Sequence, residues 1–187
     1  MLPKYKYLLT YRYAELIHDG TVEFCEKFLR EIRFRRTCEQ MVQAARSGKQ
    51  NIVEGVGQSQ TSKKGEIKLL GVAEASLEEL ISDYEDFLRQ RKLEIWPKTD
   101  LRILKFRKLG IKLSHLSNLS DLGYLKEKLV LPSGGEEAAN LLLTFCHMAT
   151  FLLSRQIKTA EEKFIKEGGY TENLFKKRLG VKIKLPK

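Results

Sequence analysis

An all-α fold, an up-and-down four-helix bundle with an extra short helix and a helical C-terminal suffix, is what this sequence of 187 residues predicts. Three observations carry that expectation. Apolar residues recur at steps of three and four over long stretches, the spacing of one helix face, and β-branched runs are few. Only four prolines occur, and Pro97 and the Pro132–Gly135 cluster fall between the periodic stretches. Hydrophobic residues make up 42% and charged residues 31%, a globular balance in a chain long enough to bury one substantial core.

The first helix is expected over residues 5–29, where Leu9, Tyr13, Leu16 or Ile17, Val22, Phe24, Phe28 and Leu29 form an imperfect apolar stripe. Asp19-Gly20 predicts a local kink there. Residues 30–37 (REIRFRRT) form a dense basic connector, and Thr37 with Gln40 has the spacing of a capping box for the second helix. In residues 40–57 (QMVQAARSGKQNIVEGVG), Met41, Ala44, Ala45, Gly48, Ile52 and Gly55 make a stripe of small and apolar groups. Gln40, Ser47, Asn51 and Glu54 line an adjoining polar edge, since their steps are seven, four and three. A mid-helix glycine costs ~1 kcal/mol relative to alanine unless close packing offsets it, so Gly48 and Gly55 predict a close helix–helix approach at the centre of the bundle. The polar edge reads as a buried hydrogen-bond network that fixes helix register, or else as a ligand or partner site.

Thr61 and Ser62 are candidate caps for a third helix over about 64–92. Its seam of Leu70, Ala73, Leu77, Leu80, Tyr84 and Phe87 is heptad-like, and Glu74, Glu78, Glu79, Asp83, Glu85 and Asp86 make the outer face acidic. Trp96-Pro97 ends that segment. Thr99 or Asp100 can cap a shorter helix over roughly 100–118, and residues 120–135 are loop-like, with Ser133 and Glu136 in capping-box register. The last long helix, from 136 to about 166, starts almost wholly apolar, ends charged, and stops at Gly168-Gly169. Thr171 is the expected cap of the terminal segment, with Leu174, Phe175 and Leu179 on one side and Lys176, Lys177 and Arg178 on the other. The organisation is a bundle over 1–167 with an insertion at about 93–135, then a basic suffix over 168–187.

Residues 40–55 resemble the second helix of the bacterial four-helix-bundle proteins typified by those encoded in intervening sequences of large-subunit ribosomal RNA genes. Their pattern is close to Q-x-x-R-A-A-x-S-x-x-x-N-I-x-E-G. Gln40, Ala44, Ala45, Ser47, Asn51, Ile52, Glu54 and Gly55 match it; Gln43 stands where the family usually has Arg, and Lys49 where it often has Pro. The segment GGYTENLFKKRL resembles the suffix carried by a subgroup of the same proteins. What the resemblance implies is the bundle itself and a symmetric homo-oligomer, a pentamer in particular. An apolar last helix is compatible with such an interface.

Net charge is +10, and residues 155–187 hold ten Lys and Arg against four Asp and Glu. A basic tail on a nearly neutral body points to a polyanion; the plain alternative is a surface that keeps a small protein soluble. The candidate contacts are Arg30, Arg33, Arg35 and Arg36 at the helix junction, whose guanidinium forks match phosphate oxygens, and Lys176, Lys177, Arg178, Lys182 and Lys184 in the suffix.

Catalytic arrangements are not found: the sequence has no P-loop, no GxGxxG, no HExxH and no GxSxG. Glu15 and His18 form an E-x-x-H, half of a di-iron bundle signature, without the second half. Cys25, Cys38 and Cys146 suit neither a disulfide framework nor a zinc knuckle. No cofactor and no metal are expected. The N-terminal stretch does not read as a signal peptide, and the apolar run 138–153 is short of the ~20 residues that span a bilayer, so a cytoplasmic protein without membrane association is expected. The reading is a non-enzymatic protein that binds nucleic acid, RNA in particular, as a homo-oligomer. Its rival is a protein-interaction adaptor, similar to the accessory bundle proteins that accompany reverse transcriptases in diversity-generating retroelements.

Overall fold

The computed structural model describes residues 3–114 and 129–184, with side chains described as far as Leu179. It is an all-α helical bundle, and no strand occurs among the described residues. Its helices are α1 (Leu9–Phe28), α2 (Arg35–Gln58), α3 (Lys63–Gln90), α4 (Leu101–Ser114), α5 (Gly135–Glu167) and α6 (Tyr170–Lys184), with 3₁₀ turns at Lys4–Tyr7 and Ile32–Phe34. The expected C-terminal end of the 100–118 helix and most of the 120–135 loop lie outside the described residues.

Pairwise contacts fix the relative directions of the four long helices. Cys38 Sγ donates to Leu29 O at 3.5 Å and Lys49 Nζ lies 3.2 Å from His18 Nδ1, so α2 runs back along α1. Ser47 Oγ meets Ser76 Oγ at 2.9 Å while Gly55 packs beside Leu69 and Leu70, so α3 runs back along α2. Ser154 reaches Glu74 and Gly135 packs on Phe87, which makes α5 antiparallel to α3. Thr10 Oγ1 donates to Gln156 Oε1 at 2.8 Å, and Gly20 faces Leu142, so α5 is antiparallel to α1 as well.

The core takes most of the side chains the apolar stripes predict; in α1, Tyr13, Ile17 and Phe24 are buried, Val22 and Phe28 are half-buried and Leu9 is exposed at the helix start. Leu70, Ala73, Leu77, Leu80, Tyr84 and Phe87 are all buried. Phe24 meets Phe28, Tyr84 and Phe87 with ring centroids 5.1, 5.1 and 4.8 Å apart. Tyr84 places its hydroxyl 2.9 Å from Thr21 Oγ1, and Thr21 donates to Ile17 O, so the one polar pair in this layer is satisfied. Burial pushes the Tyr84 phenol well above its ordinary value. Cys25, Cys38 and Cys146 are free thiols, and burial raises Cys25 and Cys146.

Several local expectations change. Asp19-Gly20 does not interrupt α1, which is continuous from Leu9 to Phe28; a Cβ on Gly20 would lie 2.6 Å from Leu142 Cδ2, so the glycine admits α5. The first helix begins at Leu9, because extended Leu8 separates it from the 3₁₀ turn. Thr37 caps nothing: the turn Ile32–Phe34 leads directly into α2 at Arg35, which has no side-chain cap. Ser62 caps α3, accepting from Gly65 N at 3.0 Å. Asp100, not Thr99, caps α4, accepting from Arg102 N at 2.8 Å. Ser133 does not cap α5; Gly134 precedes it, and Glu136 accepts from Trp96 Nε1 at 2.8 Å. α5 stops where Gly168 takes φ 72°, as the double glycine predicts.

The two glycines of the α2 stripe also separate. A Cβ on Gly48 would lie 2.9 Å from Leu77 Cδ2, a close approach, whereas one on Gly55 would make ordinary contacts of 3.5 Å with Glu66 O and Leu69 Cβ. α5 is apolar enough to resemble a membrane span by length and composition, but 67% of its most apolar window is buried inside the bundle.

Candidate nucleic-acid interface

The basic residues singled out by sequence fall into two groups that the fold keeps apart. α5 begins against Phe28 and Phe87, at the end of the bundle where α1 hands over to α2. It then runs for 33 residues, about 50 Å at 1.5 Å per residue, before α6 begins. The junction arginines and the suffix therefore do not form one patch.

At the junction, Arg30, Arg33, Arg35 and Arg36 are all exposed. Local groups already engage three of them. Arg33 pairs with Glu31 at 2.9 Å, Arg35 with Glu39 at 3.1 Å, and Arg30 Nε donates to Glu26 O. Arg33 also sits 4.6 Å over the ring of half-buried Phe34, which Arg91 covers at 4.9 Å. Arg91 stacks on Phe87 as well, 4.0 Å from its centroid, and desolvation, with Arg33 second, lowers its pKa. Sequence reading missed Arg91, and no local signal marks it: it lies 57 positions beyond Phe34, and only the antiparallel return of α3 brings the two together.

Arg36 instead borders a groove of about 570 Å³ between α2 and α3, shared with Glu39, Gln40, Gln43, Ser47 and Glu79. The polar edge of α2 divides here. Ser47 meets Ser76, and Asn51 Nδ2 donates to Ser47 O at 2.9 Å and to Ser47 Oγ at 3.1 Å. Gln40 and Glu54 are exposed, so a single buried network of all four residues is not formed. Ala44, Ala45, Ile52 and Gly55 are buried as the motif requires.

The suffix is simpler. Gly168 N donates to Phe164 O, Glu172 Oε2 accepts from Gly169 N at 3.0 Å, and Asn173 Nδ2 donates to Glu167 O at 3.0 Å, so both sides of the α5–α6 break are bonded. Thr171 therefore sits within the first turn and is not its cap. From Leu174 to Leu179 every residue is exposed. Three consecutive positions at 100° each cannot share one helix face, so Lys176, Lys177 and Arg178 wrap around α6 between Leu174, Phe175 and Leu179. No carboxylate among the described residues pairs with these three cations. The side chains of Lys182 and Lys184 lie outside the described residues.

Of the other candidates, Glu15 accepts from Tyr11 at 2.9 Å, and His18 lies between Asp19 and Lys49. The acidic face of α3 carries Asp83, pushed up to about 6 by burial and then by Glu79 and Asp86. No family model, no curated protein and no solved structure matches the chain.

Proposed function

We propose that this protein binds RNA without catalysing a reaction, and that α6 supplies the phosphate contacts. The observation that carries the reading is the exposed run Lys176, Lys177 and Arg178 on a helix with no buried residue among its described side chains, Tyr170 to Leu179, and with no carboxylate among the described residues to neutralise it. Cations distributed around a helix can meet a backbone from several directions, which suits sequence-independent phosphate contact rather than base readout. The junction arginines rank second, since Arg33 and Arg35 would first have to leave Glu31 and Glu39. Membership of the rRNA intervening-sequence type of bundle family, with its homo-oligomeric assembly, forms part of the same proposal.

A second reading has its own support. Phe175 is 60% exposed, and Leu174 and Leu179 are each more than 40% exposed, which is apolar surface on which an adaptor could seat a protein partner.

Titration of a structured RNA against salt separates the two. Replacing Lys176, Lys177 and Arg178 together by Gln is expected to weaken binding most at low salt, each lost contact flattening the log K against log salt slope by roughly 0.7–0.9. Unchanged affinity and slope would move the assignment to the adaptor. Sedimentation at micromolar concentration is expected to give a mass several times 21.6 kDa; a monomer throughout would remove the homo-oligomer from the proposal. Most of the apolar first half of α5 is already buried in the bundle of the same chain, Phe151 being its exposed apolar exception.

A further inference from the structure

The segment between α3 and α4 folds over α5 and borders an open-sided cavity of about 460 Å³. Its wall is apolar: Ile95, Trp96, Ile103, Leu143, Met148 and Phe151. The size falls within the ~300–1,000 Å³ of small-molecule sites. The wall is also firmly held. Trp96 N donates to Asn140 Oδ1 at 2.9 Å, and the indole Nε1 donates to Glu136. Asn140 is 1% exposed and uses its amide on the carbonyls of Glu94 and Glu136, both at 2.9 Å. Arg102, itself bound to Asp100, lies 3.5 Å over the indole ring, and Phe106 stacks parallel to it at 5.9 Å. Two helices, α4 and α5, thus hold Trp96 by backbone and ring, and a preformed wall binds with little ordering cost.

The ionisable groups at this cavity are all basic, beside the neutral Asn140 and Thr144. Lys98, Arg107 and His147 border it, and no acidic residue does. No carboxylate among the described residues pairs with Lys98 or Arg107. Burial, then Lys98, lowers the His147 pKa, with Arg107 adding to the effect and Glu78 and Glu85 of α3 opposing it. Two cations without a carboxylate partner beside an apolar wall offer charge-assisted contacts to an apolar ligand with an anionic head.

We propose that the cavity between the Ile95–Lys98 segment, α4 and α5 binds a small organic anion with an apolar body, such as a medium-chain carboxylate, its tail against Trp96, Leu143 and Phe151 and its head between Lys98 and Arg107. This proposal is independent of RNA binding.

Trp96 is the sole tryptophan of the chain, so the site reports on itself. The experiment titrates decanoate, decanol and decylamine, each below its aggregation threshold, into the intact protein at neutral pH while Trp96 emission is followed. Decanoate is expected to shift the emission saturably and to bind at least tenfold more tightly than decanol, with decylamine weakest. Replacing Lys98 and Arg107 together by Gln should reduce decanoate affinity to that of decanol. Ile95→Glu, a change at a half-exposed wall position, should weaken decanoate more than decanol. Equal binding of decanoate and decanol by the unaltered protein would overturn the anionic class. No saturable response, or an emission shift on raising protein concentration alone, would overturn the site; the latter would place a second copy of the chain in it.

Discussion

The body of the bundle and α6 use similar residues to opposite ends. In the body a cation can be structural: Arg12 is only 6% exposed, and its guanidinium donates to Lys6 O at 2.9 Å, Ser114 O at 2.6 Å and Tyr7 O at 3.1 Å. It thereby ties the N-terminal turn and Ser114 of α4 to α1. On α6 the cations Lys176, Lys177 and Arg178 point into solvent. Residue type therefore does not reveal a cation's task; what decides it is whether backbone acceptors converge on it.

The sharpest way to break this comparison is Arg12→Met. Its removal takes a charged donor from the Lys6, Tyr7 and Ser114 carbonyls, at ~1–3 kcal/mol each where buried, so a loss of about 2–4 kcal/mol is expected in denaturant unfolding. A variant as stable as the parent would put Arg12 in the same class as the α6 cations.

Gly48→Leu comes next, at a cost of ~1–3 kcal/mol by overpacking Leu77. Gly55→Ala should move the other way, gaining up to ~1 kcal/mol of helix propensity, because its contacts are ordinary. Equal losses at both would mean that the α2–α3 approach is uniformly tight.

Asp83→Asn tests the acidic face of α3. The Asp83 carboxyl is raised from 3.8 to about 6, so its protonated form is the one the folded state favours. Its contribution to stability is present below about pH 3.8 and lost as pH rises through 6. At pH 7 the amide should stabilise the fold by roughly 1 kcal/mol after allowance for screening at this half-exposed site. The gain should vanish near pH 4; a gain that persists there would point to packing rather than charge.

The smallest expected effect is the contrast with Arg12. Replacing Lys176, Lys177 and Arg178 by Gln should change the melting temperature little, since exposed charges contribute about 0–1 kcal/mol. A large drop would mean that α6 packs on the body in solution.

The sequence by itself determined the all-α class, the seam of α3, the burial of Met41, Ala44, Ala45 and Ile52 along α2, and the stop at Gly168. Each depends on a local periodicity or a local backbone requirement, and such signals are complete within a few helical turns. Tertiary structure decided which glycine is tight, since Gly48 and Gly55 look alike until Leu77 is placed against only one of them. It decided that Glu136 serves Trp96 instead of a capping box, and that Asn140, which interrupts an apolar run in the sequence, anchors the Ile95–Lys98 segment from 44 positions away. It also turned Arg12 inward and separated the two basic groups by the length of α5. In each case the partner lies far off in sequence, and hydrogen-bond acceptors and close contacts exist only where the helices have already met.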